Sequence, residues 1–253
     1  MKSLFLIAFL FAGSFVYAQD AAKVEHKLLS LFSNIKDYRV DEDVSGDSVA
    51  DANVRFEQAL VNALRRQPAL IHFPFSKLSR EHLKILTSKD GKLRLYNWDD
   101  NLGGTMRGFR TVAQLESADG KQSVVAWGED QSRINEVYTV NSPSGATYYL
   151  LSTTFIGSTA LFGEEITIYA AGHDGRLTKA PVIKTSTRLS SSIGCELDYS
   201  ASVNRNRKLP RAQPAGYDAT RQEISIPLVL EDGTITSRRI RYRFNGTLFE
   251  KVK

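Results

Sequence analysis

Carboxylates stand in adjacent pairs at Asp99-Asp100 and Glu164-Glu165. Two carboxyl groups about 5 to 9.5 Å apart across a cleft are what glycoside hydrolysis needs. Neighbours on a strand point to opposite faces, so neither pair can do that work by itself. One residue from each pair would have to meet through the fold. Asn97, Asp99 and Asn101 alternate as oxygen ligands do in a calcium loop, but the match then stops. Leu102 occupies the sixth position, where the sharp turn takes Gly, and Gly108 the twelfth, where a bidentate Glu belongs. The segment instead reads as a long turn in which Asp and Asn cap backbone amides, with Gly103-Gly104 open to a ligand approaching the backbone. His26, His72, His82 and His173 show no metal-ligand spacing. No G-x-S-x-G elbow occurs. His72, in an apolar context, reads as a satisfied core histidine and His173 as an exposed turn residue. Cys195 is the only cysteine and reads as a small buried hydrophobe. No catalytic residue, metal or cofactor is assigned.

Binding chemistry is better represented. Arg94, Tyr96 and Trp98 share one face of a strand whose other face carries Leu93 and Leu95. If the leucines face the core, the two aromatics stand outside as a platform for sugar rings, beside Arg94, Asp99 and Asp100. The alternative is that the N-terminal helices cover that face. A second candidate is Arg239, Arg241 and Arg243, which alternate with Ile240, Tyr242 and Phe244. The pattern is that of a half-buried strand with a solvent face, or of a patch for an anionic partner. Arg205, Arg207, Lys208 and Arg211 add charge nearby, and the net charge of +5 favours anionic surfaces mildly. No nucleic-acid-binding signature is present.

The elements that must position these residues are legible. Lys2, the apolar stretch Leu4 to Val16 and the Val16-Tyr17-Ala18 site read as a signal peptide over 1–18. Residues 19–82 read as a helical segment. Val24, Leu28, Leu31, Phe32 and Ile35 make one stripe. Ser48-x-x-Asp51 reads as a capping box opening a helix to Arg66 that buries Val54, Ala59, Leu60, Val61 and Leu64. Ile71 to Phe75 reads as extended and Ser79 to Leu83 as a helical turn. Residues 83–253 read as an antiparallel β domain. Asp-Gly pairs at 90-91, 119-120, 174-175 and 232-233 separate runs rich in β-branched and aromatic residues, as two-residue hairpin turns would. Residues 201–220 read as one long loop. The fold class is therefore α+β, two N-terminal helices on a curved antiparallel meander or barrel, with a propeller-like or sandwich β domain as the alternative.

Asp90 to Asp99 with Gly103-Gly104-Thr105-Met106, and the ending Tyr242 to Phe249, resemble elements of uncharacterised β-rich exported bacterial proteins. The resemblance implies an exported, β-rich protein and carries no activity. The expectation is a periplasmic or secreted binding module without enzymatic activity. Its partner would be an envelope or extracellular polymer, such as a glycan or anionic component, or a protein. It would not span a membrane once the signal is removed. A hydrolase with carboxylates assembled by the fold is the alternative.

Overall fold

The computed structural model describes residues 19–35, 45–117, 119–127, 132–172 and 175–252. The signal-peptide segment, most of the acidic loop after residue 35, and His173 and Asp174 lie outside the described residues.

Helix α1 spans residues 19–32 and buries Ala21, Glu25 and Leu28, at helical spacing. The buried Glu25 carboxylate accepts from the backbone N–H groups of Lys77 (2.7 Å) and Leu78 (3.3 Å), at the start of the short helix α3, Ser76–Arg80. Between them α2, Gly46–Arg66, carries Asp47 in its first turn and Arg65 and Arg66 in its last, complementing the helix dipole. Its N-cap is Ser45, whose hydroxyl accepts from Ser48 N–H at 3.2 Å, so the expected start at Ser48 is corrected upstream. Val54, expected inside, is 41 % exposed, whereas Phe56 is fully buried. The expected extended run from Ile71 is instead partly a 3-10 turn, Pro68–His72, and His72 is exposed.

The strands form three open sheets. The first is a meander of β1 (Lys84–Thr87), β2 (Leu93–Asp99), β3 (Phe109–Glu116) and β4 (Gln122–Trp127). The second joins β5 (Ser132–Asn141), β6 (Thr147–Ile156), β7 (Leu161–Ala171) and β11 (Ser192–Asp198), with β8 (Leu177–Lys179) also paired to β7. The third runs β10 (Leu189–Ser190), β9 (Ile183–Lys184), β15 (Phe249–Lys251), β14 (Ile235–Phe244), β13 (Glu223–Val229) and β12 (Gly216–Asp218). All described pairings are antiparallel except β9 with β15. Strand β12 thus lies inside the stretch expected to be one loop.

The cores show how these parts stack. Helices and first sheet share a core containing Phe56, Leu60, Leu64, Tyr96, Trp98 and Val112. The other face of the first sheet packs Leu93, Leu95 and Leu115 on Val137, Tyr149 and Leu151 of the second. The far face of the second sheet packs Leu150, Ile166 and Ile168 on Ile224, Ile226, Phe244 and Phe249 of the third. The protein is α+β, built as helices, sheet, sheet, sheet. The Asp-Gly turns differ in detail from the expected type. At the first, Gly91 has φ +72° and its N–H donates to Ser88 carbonyl, while Asp90 is not left-handed. The Asp90 carboxylate caps instead, accepting from Ser88 hydroxyl (2.6 Å) and Lys92 N–H (3.1 Å). Only the glycine needs φ > 0 in such a longer hairpin loop.

Candidate functional site

The exposed platform expected on β2 does not exist. Tyr96 is 0 % and Trp98 1 % exposed, because the helices cover that face while the second sheet covers the leucines. Trp98 meets Phe56 edge-on at 5.1 Å, and its indole N–H donates to Asn53 Oδ1 at 2.9 Å. Arg94 is buried too; its Nη1 donates to the carbonyls of Leu70, Ile71 and Phe73 (3.2, 2.7 and 2.5 Å). Asp99 caps Asn101 N–H at 2.9 Å and pairs with Arg107 at 3.1 Å. Asp100 caps Leu102 N–H at 2.9 Å. These carboxylates shape their own turn, and Glu164 is nowhere among their contacts.

Arg239, Arg241 and Arg243 do share a face of β14, but each is engaged. Arg239 donates to the carbonyls of Gln213 (2.9 Å), Pro214 (2.8 Å) and Ser225 (2.8 Å), fastening the loop before β12. Arg241 and Arg243 converge on Glu223, whose side chain is 3 % exposed. Arg239 is thus half-buried in internal bonding, while Arg241 and Arg243 keep an exposed face beside their pairing with Glu223.

The arrangement best suited to a ligand lies elsewhere, on the second sheet. Strand register puts Ile134, Thr153, Glu165 and Gly194 in one row across β5, β6, β7 and β11. The next row holds Ser132, Phe155, Gly163 and Glu196. Odd-numbered residues of β7 face the first sheet, which covers one end of this surface only. Along that face of β6, Leu151 is buried, whereas Thr153 and Phe155 are half-buried; Glu165, Gly194 and Glu196 are exposed. Trp127, the last residue of β4, stacks on Tyr169 of β7 at 5.3 Å and 18° and forms the end wall. The result is a cleft of about 420 Å³.

Its construction follows from a few residues. Asn97, buried on β2, donates to Thr111 hydroxyl (3.0 Å) and Ser132 carbonyl (3.3 Å) and accepts from Ile134 N–H (3.1 Å). This clamps the first sheet to β5 and sets where Trp127 ends. Glycine keeps the floor low: a Cβ at Gly194 would come within 2.5 Å of Glu164 carbonyl oxygen. Thr167 hydroxyl donates to Glu165 Oε1 at 2.6 Å and orients that carboxylate. Alternation separates the adjacent glutamates, as a strand demands. Glu164 points to the third sheet, accepting from Thr154 hydroxyl (2.9 Å) and Ala215 N–H (3.2 Å). Burial raises its pKa above the ordinary carboxylate value, against the pull of those hydrogen bonds and of Arg133 and Arg211. Cys195, half-buried rather than buried, faces the same way, and burial pushes its thiol up to about 11.

No cluster of three or more metal-ligating His, Cys, Asp or Glu occurs among the described residues. No helix there is long and apolar enough to cross a membrane. No family model, curated protein or solved structure matches the chain. The sequence signal for the cleft was faint. Glu165 alternates with Gly163 and Thr167 on a strand whose other side is Phe162, Ile166 and Ile168, but nothing in the chain reveals that Trp127 stands over it.

Proposed function

We propose that the protein is an exported, non-enzymatic carbohydrate-binding module whose site is the cleft beside Trp127. The observation that carries this reading is the Trp127–Tyr169 stack standing over a floor with Thr153, Glu165 and Glu196. Aromatic surface takes up the apolar face of a sugar ring, while hydroxyl and carboxylate groups meet its hydroxyls. Glycines in the floor leave room for the ring. Export rests on Lys2, the Leu4 to Val16 stretch and the Val16-Tyr17-Ala18 site.

The test is calorimetric titration with oligosaccharides of several linkages, for the protein and for Trp127→Ala. Trp127 is half-buried at the end of a strand, so its removal should weaken sugar binding at least tenfold while leaving a folded protein. Equal affinity in the variant would remove the site. A hydrolase is favoured by one observation: Glu165 and Glu196 are diagonal neighbours across β7 and β11. Diagonal positions are about 7–8 Å apart at the backbone, a spacing from which two glutamates can bring their carboxyl groups to the roughly 6.5–9.5 Å of inverting glycosidases. Product release from a bound oligosaccharide, abolished in Glu196→Gln, would establish it over the binding reading.

A further inference from the structure

The protein as a whole is basic, with a net charge of +5. The cleft is the reverse. Its described lining has no Lys, Arg or His. The carboxylates that reach into it, Glu165 and Glu196, are both exposed and diagonal to each other on one face of β7 and β11. Glu164 lines it too, but its carboxylate is turned away to Thr154 and Ala215. The nearest basic position by register is Arg133, in the row of Thr154, Glu164 and Cys195 between the two cleft rows, and it is outside the lining. No ion pair joins Glu165 or Glu196 to a cation among the described residues.

We infer that the cleft selects an amine-bearing sugar, a glycan carrying free amino groups as in glucosamine, over neutral or acidic glycans. This rests on the carbohydrate reading of the same site. An ammonium group between Glu165 and Glu196 makes charge-assisted hydrogen bonds to both. The indole of Trp127 adds the attraction of a ring face for a cation. An anionic sugar meets two like charges, with no basic side chain in the described lining. An acetylated amine keeps the ring and its stacking but loses the charge. Selection for charge therefore lives in the carboxylates, which can be neutralised without touching the aromatic wall.

The experiment titrates the protein with four probes: short oligomers of glucose, N-acetylglucosamine and glucosamine, and spermidine, a polyamine without hydroxyls. The glucosamine oligomer should bind about tenfold more tightly than the other two sugars, from two partly exposed carboxylate–ammonium contacts. That advantage should shrink as ionic strength rises. In Glu165→Gln/Glu196→Gln it should vanish, the glucosamine oligomer binding that variant no more tightly than the N-acetylglucosamine oligomer does. Equal binding of the three sugars, or a preference that survives the double substitution, overturns the inference and leaves the carbohydrate reading standing. Binding of spermidine alone, lost in the double variant, overturns the sugar reading and the amine-sugar selection with it, leaving a cation site. No binding of any probe overturns both.

Discussion

Replacing Trp98 by Phe should destabilise the fold by about 2–4 kcal/mol, and the reason is one hydrogen bond in a dry place. The indole N–H donates to Asn53 Oδ1 at 2.9 Å, and both residues are buried, Trp98 at 1 % exposure and Asn53 at 0 %. The Asn53 amide nitrogen is already committed to Val49 carbonyl (2.9 Å) and Asp100 carbonyl (2.8 Å), so the side chain cannot turn to find another donor. Phe leaves Asn53 Oδ1 without a partner, which costs about 1–3 kcal/mol. The smaller ring also loses part of the contact with Phe56, about 1 kcal/mol more. In a chain of this size that is a fall in Tm of roughly 5–12 °C. Urea denaturation gives the free energy directly, and a double-mutant cycle isolates the bond. In an Asn53→Ala background Trp98→Phe should cost at least 1 kcal/mol less, since no acceptor remains to be orphaned. The same cost in both backgrounds, or a total below about 1 kcal/mol, would refute the reasoning.

Arg94→Met should lower stability by about 2–3 kcal/mol in denaturant titration, because the carbonyls of Leu70, Ile71 and Phe73 lose a shared cationic donor; a change under about 0.5 kcal/mol would contradict that role. Glu164 gives a pH dependence of defined sign. Its pKa is raised in the fold, so its contribution to stability is complete below its ordinary value and is lost as pH rises through the raised one. Glu164→Gln does not titrate. The Tm of the natural protein minus that of the variant should therefore fall as pH rises above the ordinary carboxylate range, and a level or rising difference would argue against burial as the dominant cause.

Much of the β domain could be read directly. Period-two runs flanking Gly91, Gly120 and Gly233 became hairpins, and the stripe through Leu28 became a buried helix face. Layer order was another matter. Alternation distinguishes a wet face from a dry one only when a sheet has both. In β2 every residue from Leu93 to Trp98 is buried, so leucine on one side and aromatics on the other both meant core. Arg94 hid the fact, since a charged residue in a strand reads as solvent-facing until its carbonyl partners are seen. The cleft was least legible. Trp127, Glu165 and Glu196 come from three strands of two sheets, and only register brings them to one surface.

Three open sheets leave three pairs of edge strands, and an unpaired edge is a template for another molecule's strand. Four of these six edges are blunted, each in its own way. The third sheet ends in β10, two residues long, and β12, three residues long, too short to recruit a stable partner. At β4 the guanidinium of Arg65 reaches down from α2 to the carbonyl of Val124 (3.0 Å). At β5 the register slips around Asn135, whose carbonyl takes the Lys84 ammonium (2.7 Å). The side chains that fasten one layer to the next thus also protect the molecule from polymerising. Loss of Arg65 or Lys84 would show in aggregation on storage before it showed in the melting curve.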